Sequence, residues 1–148
     1  MFSNCELVNS SFNNNQICFL LDSGATDHIV NTKDFFSSYL QLSTPLKIGV
    51  AKNGTHVPAF GKGKINVVTN LGIHGSIDNI LYSPEVPCNL LSVNRIQEAG
   101  MTVIFKNNEV HIYQNNNLLM SGNQLADLFT KAIPAQKFLD LRQKLNLV

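Results

Sequence analysis

At 148 residues and 44% hydrophobic content the chain can close a single core, since a domain of this size buries roughly 70% of the surface its unfolded form exposes. Its 11 basic and 10 acidic residues leave a net charge of +1, too weak a field to gather nucleic acid or an anionic membrane as a main partner. Cys5, Cys18 and Cys88 have neither CxxC spacing nor a histidine at a ligand interval, which sets aside a disulfide framework and a metal site and fits a reduced, intracellular setting.

The opening MFSNCELVNS lacks the basic and apolar regions of a signal peptide, and nowhere does a run approach the ~18 apolar residues of a membrane span, so a soluble protein is expected. Residues 1–16 are polar and rich in Asn and Ser (SSFNNNQ) and read as an arm outside the core, with a short strand around Glu6 to Val8. From Ile17 the pattern becomes short β-type runs punctuated by Gly, Pro and Asn: ICFLL, DHIV, PLKIGV, HVPAF, KINVV, IDNILY, MTVIF and EVHIYQ. Their spacing of about 8 to 12 residues predicts a sandwich or small barrel. Lys52-Asn53-Gly54 and Lys106 to Glu109 (KNNE) read as hairpin turns, because Asn and Gly tolerate a positive φ. One helix interrupts the β pattern: Ser92 can cap VNRIQEAG, with Val93, Ile96 and Ala99 on one face and Gly100 as the stop. At Gly122 the character changes. NQLADLFTKAIPAQKFLDLRQKLNLV has a helical pattern split at Pro134, and its second piece carries Phe138, Leu141 and Leu145 at i, i+3 and i+7. Three units follow: an arm over 1–16, a β body over 17–121 and a helical tail over 122–148.

Within the body, LLDSGATDHIV ends an apolar run on Asp22. A carboxylate closing a buried strand costs free energy unless it is hydrogen-bonded or shares a proton. Gly24 lets the backbone approach closely and Ser23 offers a hydroxyl and an N–H, which leaves Asp22 pointing at whatever lies across the turn. Two such carboxylates about 3 Å apart cannot both ionise, so one keeps its proton while the other acts as base on a water between them. The plainer reading is an Asx turn, since the triplet Asp-Ser-Gly is short and frequent. His28, six residues on, either tunes this loop or alternates with Ile29 at a strand start. His56, His74 and His111 share no ligand spacing. Gly61 to Lys64 (GKGK) lacks the spacing of a phosphate loop, and Arg95 falls on the solvent side of the helix, where a surface ion pair is its ordinary fate.

The context of Asp22 resembles the retroviral and retrotransposon aspartic proteases. LLDSGATDHIV is similar to their active-site loop, and NILYSPEVPCNLLSVNRIQEAGMTVIF, Asn79 to Phe105, is similar to their late strand, helix and final strand. LDSGATDH followed by VPCNLLSVNRIQEAG, with VAKNG at Val50 to Gly54 between them, looks like the protease segment of copia-type polyproteins over about residues 14 to 121. The resemblance implies a mainly β fold, a small closed barrel of the retroviral protease type with one short helix. It also implies peptide-bond hydrolysis in a homodimer, with one Asp22 per chain, Ser23 tying the two loops together and Gly24 touching the substrate backbone. Ala25, Asp27 and the turn Lys52-Asn53-Gly54 would bind a polyprotein peptide, the last as the tip of a flap over Lys47 to Lys62 with a second glycine pair at Gly61 and Gly63. No cofactor is implied, and the setting would be the cytoplasm or a virus-like particle. Retroviral relatives carry an acidic residue directly after the alanine, where this chain has Thr26 and then Asp27, and glycine where Ser92 stands. The rival expectation is an inactive, truncated or domesticated barrel from the same kind of polyprotein.

The tail resembles the C-terminal end of copia-type polyproteins, where the RNase H domain finishes. Asp127 matches the last of that domain's four metal-binding carboxylates, but the others are missing, so Asp127 is expected to serve only as a first-turn acid of a helix. The two resemblances together imply a spliced or deleted product joined between Ser121 and Gly122.

Overall fold

The structure, a computed structural model, describes residues 16–49, 56–123 and 127–132. Lys52, Asn53 and Gly54, the arm before Gln16 and the tail beyond Ala132, with Phe138, Leu141 and Leu145, lie outside them.

Strands dominate, as the apolar runs predict. The elements are β1 (Gln16–Asp22), β2 (Ile29–Val30), β3 (Ser38–Gly49), β4 (His56–Thr69), β5 (His74–Tyr82), β6 (Asn89–Ser92), α1 (Val93–Glu98), β7 (Thr102–Lys106), β8 (Glu109–Gln114), β9 (Asn117–Asn123) and β10 (Asp127–Ala132). Seven of them form one sheet in the order β10-β1-β6-β2-β5-β4-β3, and β10 also pairs with β4. That extra pairing closes six strands into a ring. It works because β4 is long: one edge carries β5, while the other carries β3 along His56 to Lys64 and then β10 along Val67 to Thr69. A barrel of this kind leaves few unpaired backbone groups at an edge. The pairs β1/β6 and β2/β5 are parallel and the remaining pairs antiparallel. A second sheet, β7-β8-β9, is an antiparallel meander.

One apolar cluster joins the two sheets. Ile17 to Leu21 of β1 are all buried, and the same cluster takes in Ile65 and Val67 of β4, Ile80 of β5, Leu90 and Leu91 of β6, Val93 and Ile96 of α1, and Val110, Ile112 and Met120 of the meander. Side-chain bonds reinforce the join: Thr69 Oγ1 donates to the Leu119 carbonyl at 2.6 Å and Asn70 Nδ2 to the Ser121 carbonyl at 2.8 Å.

The predicted helix is present as α1, capped by Ser92 and followed by Gly100 at φ 88°, a conformation glycine adopts without a Cβ penalty. Asn107 and Asn108 have φ of 51° and 63°, as the KNNE hairpin requires. The runs HVPAF and KINVV turn out to be one continuous strand. The glycines between them, Gly61 and Gly63, have a packing reason apart from any lid: a Cβ on Gly61 would overlap the Tyr39 ring, and one on Gly63 would overlap the Ser38 carbonyl.

The helical tail is corrected at Asp127–Ala132, which is strand. DLFTKA alternates as well as it winds, and in the strand form its backbone pairs with β1 from Gln16 to Leu20 and with β4 from Val67 to Thr69. Strand pairing over both edges satisfies more backbone groups than one isolated helical turn. Asp127 therefore starts a strand opposite Leu20 and opens no helix. β9 runs unbroken through Ser121 and Gly122, so the change of sequence character there falls inside a strand.

Candidate functional site

β1 delivers Asp22 to the surface. The strand's buried run fixes it between β10 and β6, and its last residue stands opposite Ser92 in the parallel register with β6. Asp22 is half-buried, and the Gly24 N–H donates to its Oδ1 at 2.7 Å. This is an Asx turn, and it answers the desolvation problem with one backbone donor and partial access to water. The turn is tight: a Cβ on Gly24 would sit 3.3 Å from that same oxygen. Ser23 and Gly24 are exposed and Ala25 is half-buried.

The rest of the loop is tied to the start of α1. The Ser92 hydroxyl donates to the Ala25 carbonyl at 2.7 Å and accepts from the Arg95 N–H at 3.2 Å, so it caps the helix and holds the loop together. Arg95 Nε donates to the Thr26 carbonyl at 3.2 Å, and Nη2 to Asp27 Oδ1 at 2.5 Å. Thr26 Oγ1 donates to the other oxygen of Asp27 at 3.1 Å. The Ser92 N–H donates to Nδ1 of buried His28 at 3.0 Å. Nδ1 must be bare to accept, so His28 is neutral with its proton on Nε2. Burial lowers its pKa from 6.5 to about 4, helped by the Arg95 charge and opposed by Asp27.

The expected surface ion pair of Arg95 exists, but its partner is the loop itself. Asp27, assigned to substrate by resemblance, has its carboxylate engaged by Arg95 and Thr26. The structure brings Asp22, Ser23, Gly24, Ala25 and Asp27 together in one loop. The turn Lys52-Asn53-Gly54 lies outside the described residues, although the strands leading to it pair from Leu46 with Ala59 to Gly49 with His56. Sequence reasoning missed Asn89, which is buried, accepts from the Asn31 N–H at 2.9 Å and donates to the Cys18 carbonyl at 3.2 Å. It bolts β1 to the segment after β2. A polar residue amid the apolar run PCNLLSV was the available signal, since buried amides are kept for such bonds.

A cleft of about 560 Å³ opens against His28, between α1, β5 and the meander, lined by Ile77, Leu91, Ile96, Met101 and Ile112 among others. Asp22 is not among its lining residues. Among the described residues, the half-buried carboxylate lies outside that cleft, beside the exposed Ser23 and Gly24.

Comparison with known families adds one result. The family described as Pol polyprotein, beta-barrel domain matches residues 19–101, which spans the Asp22 loop, the β3–β4 hairpin and α1. No solved structure matches the chain.

Proposed function

Because the chain belongs to the family of Pol polyprotein β-barrel domains, we propose that it is the aspartic endopeptidase module of a copia-type retroelement polyprotein, active as a homodimer. The observation that carries this reading is the buried strand that ends on a half-exposed Asp22 within a tight Asp-Ser-Gly turn. That loop has polar groups to offer, and the cleft against His28 does not take in Asp22. A symmetric copy supplies a wall and a second carboxylate.

In such a pair the two Asp22 groups share one proton. The ionised carboxylate takes a proton from water as the water oxygen adds to the carbonyl carbon. The protonated one hands its hydrogen to the amide nitrogen as the C–N bond breaks. Ser23 ties the two loops, Gly24 and Ala25 lie against the peptide backbone, and the β3–β4 hairpin with Lys52, Asn53 and Gly54 closes over it to exclude water. Asp27 already accepts from Arg95 and Thr26, which leaves it fewer acceptor sites for a peptide. The substrate class is the polyprotein's own junction peptides, and the place of action the cytoplasm or a virus-like particle. The tail, in this reading, comes from the RNase H end of the same polyprotein, without its metal site.

A non-catalytic barrel is the second reading, and the 2.7 Å bond from Gly24 to Asp22 favours it, since a turn cap alone explains an aspartate there. Asp22→Asn separates the two. Its amide oxygen still caps the turn, but it cannot act as base or share a proton. Cleavage of a junction peptide at about pH 5 is expected from the wild type and lost in Asp22→Asn. Equal turnover by both proteins would remove the dyad.

A further inference from the structure

Four consecutive residues after the Asp22 turn each offer an acceptor to the start of α1, and two residues there, Ser92 and Arg95, meet all four. Ala25 and Thr26 offer their carbonyls, Asp27 its carboxylate and His28 its Nδ1; Ser92 and Arg95 supply the hydroxyl, the guanidinium and the backbone N–H that meet them. Ser92 and Arg95 lie three residues apart across the first turn of α1, so they present to the loop together. We propose that Ser92 and Arg95 are positioning residues for the Asp22 loop and that Asp27 is their anchor, held by Arg95 instead of gripping the peptide. This rests on the reading of Asp22 as catalytic.

The geometry argues for positioning over bulk stability. The Arg95 and Asp27 side chains are 41% and 25% exposed, and an ion pair that open to water adds little to folding. Its bonds are nevertheless directional. A guanidinium spans a carbonyl and a carboxylate from one rigid plane, which a lysine ammonium cannot reproduce. Glu98 also approaches Arg95, 3.7 Å from Nη1, so the fork is held from both sides. Because β1 holds Asp22 at one end and the clamp holds residues 25–28 at the other, the freedom left to the loop is confined to the exposed pair Ser23 and Gly24. A shift of about 1 Å in a reacting group can cost on the order of a hundred-fold in rate.

The test uses the full chain with Arg95→Lys, Arg95→Gln, Asp27→Asn and Asp22→Asn. Arg95→Gln is expected to lower kcat about ten- to a hundred-fold with KM held within about two-fold, and Arg95→Lys to recover only part of it. Asp27→Asn, which keeps an acceptor for Nη2, should likewise leave KM within about two-fold. A rise in KM at constant kcat in Asp27→Asn would make Asp27 a substrate contact and overturn the proposal. A readout free of activity runs beside it: amide exchange at Gly24 and Ser92 should quicken about ten-fold in Arg95→Gln while Val110 and Ile112 keep their rates. Unchanged exchange at Gly24 and Ser92 overturns the positioning role. Absence of any Asp22-dependent cleavage by wild type brings down the catalytic reading instead, and the exchange result then decides whether the clamp exists.

Discussion

Burial keeps His28 neutral far below the range where histidine ordinarily gains its proton, with a folded pKa of about 4 against 6.5. The unfolded chain therefore binds more protons than the folded one between these values, and stability falls as pH drops through that window. A shift of this size corresponds to about 3 kcal/mol lost between pH 7 and pH 4. His28→Gln, which cannot titrate, should flatten the fall in urea-unfolding free energy over that range relative to wild type; parallel slopes would show that His28 charges freely. Ser92→Ala removes both the helix cap and the bond to the Ala25 carbonyl, and chemical melts should show a loss of about 1–2 kcal/mol. At this scale the sequence displayed Asp22 plainly, because a carboxylate after an apolar run is an anomaly. It hid the partners. Arg95 and Asp27 are 68 residues apart, and no local pattern announces a bond that only the fold creates.

The β3–β4 hairpin shows a different kind of legibility. Gly61 and Gly63 suggest a mobile lid, yet close packing is the nearer cause: the Ser38 carbonyl at Gly63 and Tyr39 at Gly61. Its ring occupies the space a side chain on Gly61 would need and stands edge-on to Phe36 at 5.1 Å and Tyr82 at 6.2 Å. Gly61→Ala should cost about 1–3 kcal/mol by overpacking, and Tyr39→Ala in the same chain should recover part of it; a double-mutant cycle in urea reads the coupling. Additive costs would show that the ring moves aside freely. Elements whose ends carry their own chemistry are legible in the sequence: α1 between Ser92 and Gly100, the Asn107-Asn108 turn, and β1 with its apolar run. β10 is not, since Asp127–Ala132 fits either period and the choice belongs to the strands it meets. The four-residue β6 was recognised only as part of a motif, its pairing with β1 being parallel and distant in sequence.

For the whole molecule, ring closure depends on β10 joining β1 to β4. Truncation after Asn123 should open the barrel: amides of Gln16 to Leu20 facing β10 lose exchange protection, and β1 becomes an unpaired edge prone to association. Retained protection there would mean that the ring closes without β10. The barrel and its membership among Pol polyprotein β-barrel domains account for the scaffold, while the loop that ends β1 accounts for the proposed chemistry. The central claim is that this loop works only against its own copy. Initial rates of junction-peptide cleavage as a function of protein concentration test it most directly, because below the dimer dissociation constant the concentration of pairs follows the square of the total. A catalytic pair gives a rate that rises with the square of chain concentration at the low end and turns linear above it, abolished throughout in Asp22→Asn. A rate linear in chain concentration down to the most dilute samples, or an undiminished Asp22→Asn, would contradict it.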